Sequence, residues 1–454
     1  MEGGGRRRAE DTSLTCYCFL VCVAAAACGL MAGFNIGVIG GVASMPSFRQ
    51  RFFAANANTS CDYDPSIAAK VTSAFYAAAL FSSFLLSPLV KRKLGCKVSM
   101  ESGCVLVALG ALFSFSAQSL WMLVIGRCFV GIGLRLLRQS VRQYVSEMAP
   151  YRHRRALGMM FKVFIAMGRV MAAIVNYSFH GIKGGWDWRL SFGSEGVLAT
   201  VFLFVTCIFL PSTPKHLLER GKPEQARSLL QRLRGVDVDV EPELRDTVCA
   251  MTQDGDLPLL KLFNRNYWPH LVMVVMIPLL RQLTGAKVMM TFAPALLVKI
   301  WFSKDIAWLS DIVIASVNLT AKIYGAFGIE MFGRRQLFLG GGVLMFLSQV
   351  VIAIIVRVQF GWSLPGWYAT TVTALICTYV IGYSCSWGRL EWFVPSEIRS
   401  AALGVTAFVD LLSEFLVALL FHPMLCHVEF WWFLFVAFLL MLIKFLVYAL
   451  LPNK

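Results

Sequence analysis

The sequence predicts an all-α membrane protein whose twelve transmembrane helices form two six-helix halves. Hydrophobic residues make up 57% of the chain and charged residues only 15%, whereas a soluble domain carries about 25% charged residues. Apolar segments of about 20 residues, the length at which a helix crosses a bilayer, recur between short charged loops. A membrane β-barrel is a poor alternative, because it requires alternating strands separated by frequent turns.

Twelve apolar segments are long enough to span a membrane. We place them at about 16–42, 67–90, 98–118, 120–146, 156–179, 188–210, 268–299, 306–328, 336–357, 366–394, 401–421 and 430–451. Basic residues lie in alternate loops, those after spans two, four, eight and ten. Because positively charged loops stay in the cytoplasm, this pattern predicts that both termini are cytoplasmic.

A polar segment at residues 211–267 separates the halves. It contains nine Lys or Arg and nine Asp or Glu residues. Within it, residues 224–234 have the helical period, with Ala226, Leu229, Leu230 and Leu233 on one face. The predicted domains are residues 1–210 with an extracellular lid at about 46–66, a cytoplasmic helical linker at 211–267, and residues 268–454.

The two halves repeat each other. Leu94-Gly95-Cys96-Lys97 follows the second span of the first half, and Phe332-Gly333-Arg334-Arg335 follows the second span of the other. Ser146-Glu147 and Ser396-Glu397 occupy matching positions after the fourth spans. A duplicated six-span unit of this kind predicts a transporter whose substrate site lies between the repeats.

The seventh span carries polar residues at an interrupted helix. Its apolar run from Trp268 to Ile300 contains Arg281 and Lys287 on either side of Thr284-Gly285. Glycine weakens a helix interior, and charged residues inside a membrane are expensive unless they serve a function. The stretch therefore predicts a substrate site near the middle of the membrane.

The remaining composition excludes several functions. The net charge of +16 comes from cations scattered over loops and helices, which indicates membrane topology rather than a nucleic-acid partner. No paired Cys/His spacing predicts a metal site, and no cofactor is expected. Because no nucleophile–base set stands out, the chain is not predicted to be an enzyme.

Several segments together indicate a known family. They are Gly33-Phe34-Asn35-Ile36-Gly37, Tyr144-Val145-Ser146-Glu147, Gly184-Gly185-Trp186-Asp187-Trp188-Arg189, Leu283-Thr284-Gly285 and Val394-Pro395-Ser396-Glu397-Ile398. With these segments the chain resembles the plant monosaccharide–proton symporters, also called sugar transport proteins or hexose carriers. They belong to the sugar porter branch of the major facilitator superfamily.

The resemblance implies a fold and partners. We expect the major facilitator superfamily fold, with two bundles that rock around a central monosaccharide, protons as a second partner, and residence in the plasma membrane. The resemblance also implies a disulfide between Cys61 in the lid and Cys426 after the eleventh span. A disulfide persists on the oxidising, extracellular side.

The proton-coupling positions depart from the family. There, an aspartate in the first span takes up the proton and faces an arginine at the start of the fourth span. The matching residues in this chain are Asn35 and Arg127. Because asparagine cannot titrate, the family's proton route lacks its acid at this position.

The substrate-binding positions depart as well. The family binds sugar hydroxyls through amide side chains, which both donate and accept hydrogen bonds. Gln282, Asn318 and Trp387 match the family. Charged residues replace neutral amides at Lys162, Arg281, Lys287 and Asp410.

The gating positions implied by the resemblance lie in the cytoplasmic loop motifs. They are Glu147, Arg152, Gly333, Arg334, Arg335, Glu397 and Arg399. Two alternatives to monosaccharide transport stay open. The first is a non-transporting paralogue, such as a sensor or an inactive protein, which the missing acid favours. The second is a transporter of an anion with Lys162, Arg281 and Lys287 as counter-charges, although unselected change explains the same charges.

Overall fold

Every regular element among the described residues is a helix. The structure, a computed structural model, describes residues 15–52, 65–182, 184–235, 240–253, 268–287, 289–290, 304–332, 334–359, 367–386, 399–427 and 434–442. Each of the twelve predicted spans overlaps a helix in these ranges. Six helices within them are long and apolar enough to cross a membrane, judged by length and composition.

The first predicted half begins with two short helices in the first span and continues with longer ones. Its helices are α1 (Cys16–Ala27), α2 (Gly29–Val42), α3 (Pro46–Phe52), α4 (Pro65–Phe81), α5 (Ser87–Phe115), α6 (Leu120–Met148), α7 (Arg154–Phe179) and α8 (Trp186–Phe209). A π-helical turn, Ser82–Leu86, joins α4 to α5.

The polar segment and the second predicted half follow. The polar segment contains α9 (Pro214–Glu219), α10 (Pro223–Arg234) and α11 (Glu241–Gln253). The second half contains α12 (Trp268–Leu283), α13 (Lys304–Phe332), α14 (Arg334–Gln359), α15 (Trp367–Ser386), α16 (Arg399–His427) and a helical stretch at 434–442.

Two predicted loops prove to be helical. The basic loop between spans two and three lies within α5, which is broken only at Gly95 with φ +83°. A Cβ at Gly95 would lie 2.7 Å from the His216 ring, so only glycine allows both this backbone and the close contact with α9. Helix α16 runs on to His427 and includes Cys426, so that cysteine is in a last turn and not in a loop.

Small residues bring α2 and α7 into backbone contact. A Cβ on Gly33 would lie 1.8 Å from the Ile165 carbonyl oxygen, and one on Gly168 would lie 2.1 Å from the Leu30 carbonyl oxygen. In a membrane the hydrophobic effect does not drive helices together, because the lipid tails are equally apolar. Helices associate instead through close packing, which small residues allow.

Helices of the two predicted halves also pack against each other. Helix α4 lies against α16, and α7 lies against α13. One buried core cluster runs from Cys18 to Leu233 and another from Leu280 to Leu440. The division into domains at 210 and 267 stays a prediction.

The polar segment is tied to the first half through Arg234. Its predicted helix is confirmed as α10, with the apolar face buried. Arg234 donates hydrogen bonds to Glu243 at 2.7 Å and to the Met148 carbonyl oxygen at 3.0 Å. Burial opposes the charge of Arg234, but Glu243 outweighs this effect and raises the pKa of Arg234 above its ordinary value.

We expect Gly168→Ala to separate α2 from α7 and to lower the free energy of unfolding by about 1–3 kcal/mol, as overpacking does. Gly158→Ala in the same helix is the control, because its Cβ would meet nothing within 4 Å. The thermal unfolding midpoint of the purified protein in detergent measures both. Equal midpoints for the two variants would contradict the close packing.

Candidate functional site

Asn35, Arg127 and Glu195 meet inside the first half, where α2, α6 and α8 converge. These three residues are only 1%, 2% and 1% exposed, respectively. Asn35 Nδ2 donates to Glu195 Oε1 at 2.5 Å, and Arg127 Nη1 lies 3.2 Å from Glu195 Oε2. We call these three residues the Glu195 cluster. A carboxylate of α8 therefore lies beside position 35, which itself has none.

Helical geometry explains why Asn35 points into this cluster. Gly33 and Gly37 both contact α7. Successive residues of a helix turn by about 100°, so Asn35 lies about 200° from each glycine and faces away from α7. Helices α6 and α8 pack against α2, and they carry Arg127 and Glu195.

Aromatic rings close the Glu195 cluster. The Arg127 guanidinium lies 5.5 Å from the centre of the Phe75 ring and 5.2 Å from that of Phe192. Rings at this distance attract a cation without neutralising it. Glu195 is therefore the charge partner that the structure gives Arg127.

The seventh span is interrupted where the sequence predicted it. Helix α12 ends at Leu283, and Gly285 has φ +70°. The Thr284 carbonyl oxygen accepts a hydrogen bond from the Tyr379 hydroxyl. A carbonyl group released from the helix is thus satisfied by α15, which makes the break compatible with a membrane interior.

Both cations of this span are paired with acids on α16. Arg281 forms an ion pair with Asp410, and Lys287 forms one with Glu414. The two acids are four residues apart and so lie on the same face of α16. Three of the four charged substitutions, Arg281, Lys287 and Asp410, thus belong to two neutral pairs that Glu414 completes. Arg281 and Lys287 are therefore not the free counter-charges that the anion alternative assumed.

Residues of the first half complete this part of the site. Lys287 Nζ lies 5.6 Å from the centre of the Tyr76 ring on α4. Arg138 on α6 interacts electrostatically with Glu414, and Arg138 Nη2 donates to the Ala32 carbonyl oxygen at 3.5 Å. The ion pairs therefore lie between the predicted halves, where the repeat predicted a substrate site.

The other predicted substrate-binding residues are placed as follows. Gln282 on α12 and Asn318 on α13 are buried, and Asn318 Oδ1 accepts a hydrogen bond from Ser384 at 3.0 Å. Lys162 is half-buried on α7. Trp387 lies outside the described residues.

Only some of the residues predicted to act in gating or in the disulfide lie within the described ranges. Glu147 accepts a hydrogen bond from Gln143 at 2.7 Å, and Arg152 is exposed. Arg334, Arg335 and Arg399 begin helices α14 and α16, but their side chains are outside the description. Gly333, Glu397 and Cys61 lie outside the described residues altogether. The gating roles and the disulfide stay predictions.

Comparison with known proteins identifies the family. The model of the sugar (and other) transporter family matches residues 21–453. The chain belongs to this family.

Curated members are similar over nearly the whole chain. Sugar transport protein 1 of Arabidopsis thaliana is 42% identical, with 99% of this chain and 90% of that protein aligned. Sugar carrier protein C of Ricinus communis is 41% identical over the same shares. These relatives are transporters, which confirms the prediction that the chain is not an enzyme.

A solved structure confirms the predicted fold. The xylose transporter XylE from E. coli, in a partially occluded inward-open conformation, superposes with a TM-score of 0.81. The match covers 96% of this chain and 100% of XylE at 22% identity. The chain therefore has the all-helical major facilitator superfamily fold of XylE, and twelve transmembrane helices in two six-helix halves stay a prediction.

Sequence reasoning missed two buried carboxylates that form ion pairs in the structure. Glu195 and Asp311 each lie within an apolar span, and Asp311 pairs with Arg169 at 2.9 Å. A carboxylate inside a membrane helix is itself a signal of function, because its insertion is unfavourable. The resemblance places the family's acid at position 35, so it gave no reason to expect a partner for Arg127 on α8.

We expect Arg281→Gln and Asp410→Asn each to lower the free energy of unfolding by about 3 kcal/mol, since each removes one partner of an ion pair that is only about a fifth exposed. The double variant carries the amides that the family has at these positions and should lie closer to wild type than either single variant. Thermal unfolding of all four proteins gives the coupling energy. Additive losses would show that the two residues do not interact.

Proposed function

We propose that this family member carries monosaccharides across the plasma membrane by alternating access, coupled to proton movement, with both termini in the cytoplasm. The relatives are named as sugar transporters, and a structure of XylE is described as that of a proton:xylose symporter. The site between the halves supports a substrate that is reached from either side as the halves rock.

Glu195 is the proton acceptor in this proposal, and this contact is the observation that carries it. The Glu195 carboxylate bonds to both residues at the family's coupling positions, Asn35 and Arg127. The asparagine amide does not titrate, whereas a carboxylate can take up and release a proton. Protonation of Glu195 removes the negative charge that holds Arg127 and so releases α6 from α8.

Helix α2 connects the Glu195 cluster to the substrate site. Asn35 binds Glu195, and the carbonyl oxygen of Ala32, one turn earlier, accepts from Arg138 beside the ion pairs. If α2 shifts when Glu195 changes its charge, the hydrogen bond between Ala32 and Arg138 changes with it. This route provides the differential contacts that coupling requires.

Charge pairing counts against an inactive paralogue. Arg127, Arg169, Arg281 and Lys287 each have an acidic partner on another helix. Random loss of function introduces charges without regard to partners, and each lone charge disfavours insertion by about 2.5–3.5 kcal/mol. The four ion pairs therefore favour a functional transporter over an inactive paralogue.

Purified protein in proteoliposomes should take up at least one radiolabelled monosaccharide from a panel of neutral and acidic pentoses and hexoses. Empty liposomes are the control. A proton gradient of one pH unit should support about tenfold accumulation, because one unit is worth 1.36 kcal/mol. If no monosaccharide on the panel is taken up above the level of empty liposomes, the proposed function is wrong.

Glu195→Gln should abolish gradient-driven accumulation, bringing the ratio from about tenfold to about one. Exchange of labelled for unlabelled sugar should persist, since the amide oxygen still accepts a hydrogen bond from Arg127 but the amide does not titrate. Accumulation and exchange are measured in the same vesicles.

Two further variants make this experiment decisive. Glu101→Gln removes a carboxylate of the same half that forms an ion pair with Lys97 one turn away, and this variant should accumulate substrate normally. Adding Asn35→Asp to Glu195→Gln restores an acid beside Arg127 and should recover accumulation. If Glu195→Gln accumulates substrate like wild type, Glu195 is not the proton acceptor.

A further inference from the structure

A buried ion pair joins the two predicted halves. Arg169 lies on α7 in the first half, and its Nη2 donates to Asp311 Oδ1 on α13 at 2.9 Å. The two side chains are only 4% and 2% exposed. The other intramembrane ion pairs described above each lie within a single half. The contact between Arg169 and Asp311 therefore depends on how the halves are placed against each other.

An aromatic contact joins the same two helices. His180 caps the end of α7, and the centre of its ring lies 5.6 Å from that of Trp308 on α13. Trp308 is 3% exposed. It belongs to a buried apolar cluster whose other members, among them Phe48 and Trp188, all come from the first half. A side chain of the second half is thus buried in the core of the first. We call the ion pair and this ring contact the outer contacts.

The outer contacts lie towards one side of the membrane. His180 follows the last residue of α7, and Trp308 is in the second turn of α13. With both termini in the cytoplasm, as proposed above, α7 ends and α13 begins on the extracellular side. Arg169 precedes the end of α7 by 10 residues, or about 15 Å of helix. The ion pair is therefore deeper in the membrane than the ring contact.

The chemistry of the ion pair suits a contact that forms and breaks. Removing two charges from water is unfavourable, and their attraction in a buried site only roughly offsets that loss. When the outer ends of α7 and α13 part, water enters between them and solvates both charges. In the closed arrangement, Trp308 and its apolar cluster lie nearer the extracellular ends of the helices and shield the ion pair from water. The pair thus closes the outer side reversibly.

We propose that the outer contacts are an extracellular gate, whose ion pair must break before a substrate enters from outside. The gate rests on the proposed function, because alternating access requires the halves to part on one side of the membrane at a time. The gating residues predicted from the sequence, such as Glu147 and Arg152, lie in cytoplasmic loop motifs. The outer contacts act on the opposite side.

Hydrogen–deuterium exchange of the purified protein, without any sugar, tests whether the outer contacts hold that side closed. Asp311→Asn should raise deuterium uptake at residues 172–180 of α7 and 304–311 of α13, because water reaches these ends more often. Uptake at the cytoplasmic ends of the same helices, residues 154–161 and 325–332, should fall. A misfolded variant takes up more deuterium at both ends, so opposite changes distinguish a gate from a loss of structure.

Transport measured from each side tests whether the gate controls entry. In vesicles of a single orientation, Asp311→Asn should lower the half-saturation concentration of external monosaccharide and raise that of internal monosaccharide. If the outward-facing share of the protein rises from about a tenth to about a half, the external value falls about fivefold. A purely structural defect lowers the maximal rate without shifting the two values in opposite directions.

Matched variants isolate the ion pair. Exchanging the charges, Arg169→Asp with Asp311→Arg, should return both measurements towards wild type. The neutral double variant, Arg169→Gln with Asp311→Asn, leaves no lone charge that disfavours folding and should shift both measurements as Asp311→Asn does. Ser178→Ala in the outer turn of α7 is the control. It removes a hydroxyl group that bonds to the Ile174 carbonyl oxygen of its own helix, and it should behave like wild type.

The outcomes separate the gate from the proposed function. If Asp311→Asn and the neutral double variant leave exchange unchanged, or change it in the same direction at both ends, the outer contacts are permanent and are not a gate. If exchange shifts as expected but the half-saturation concentrations do not, the outer contacts do not control sugar entry and the proposal is wrong. If wild type transports no monosaccharide, the proposed function fails, and the sugar-free exchange experiment still decides whether the outer contacts hold that side closed.

Discussion

The need to pair charges inside the bilayer is the constraint on which the rest of this structure depends. A lone charge at the centre of a membrane helix disfavours insertion by about 2.5–3.5 kcal/mol. Glu195 satisfies Arg127, Asp311 satisfies Arg169, and two acids on α16 satisfy the two cations around the break after α12. Each pair joins two different helices, so charge neutralisation and helix packing are achieved by the same contacts.

At the proposed substrate site, the ion pairs give hydrogen bonding a fixed direction. An amide both donates and accepts hydrogen bonds, whereas an ammonium or guanidinium group only donates and a carboxylate only accepts. Arg281 and Lys287 lie in the seventh span, and Asp410 and Glu414 lie on α16, so donors and acceptors are separated onto two segments. In the proposed site, a substrate hydroxyl group that contacts both segments would be held in one orientation more strictly than by amides.

Local features of the sequence were predictable, and contacts between distant helices were not. The break at Thr284-Gly285 and the buried face of α10 follow from glycine conformation and helical period, which act over a few residues. Glu195 follows Asn35 by 160 residues, and no local pattern connects them. A position-by-position resemblance finds the acid missing at Asn35, but it cannot show that a carboxylate from another helix lies beside Asn35. The same limit hid the acidic partners of Arg281 and Lys287.

The order of the paired charges along the chain affects how the protein is made. In all four pairs the cation is synthesised before its acid, by 142 residues for Arg169 and Asp311 and by 129 for Arg281 and Asp410. At a translation rate of about 5–20 residues per second, such a cation waits on the order of ten seconds for its partner. During biogenesis the early helices must therefore enter the membrane with unpaired charges. Stable assembly is completed only when α16 arrives, and chains that end before it are natural targets for quality control.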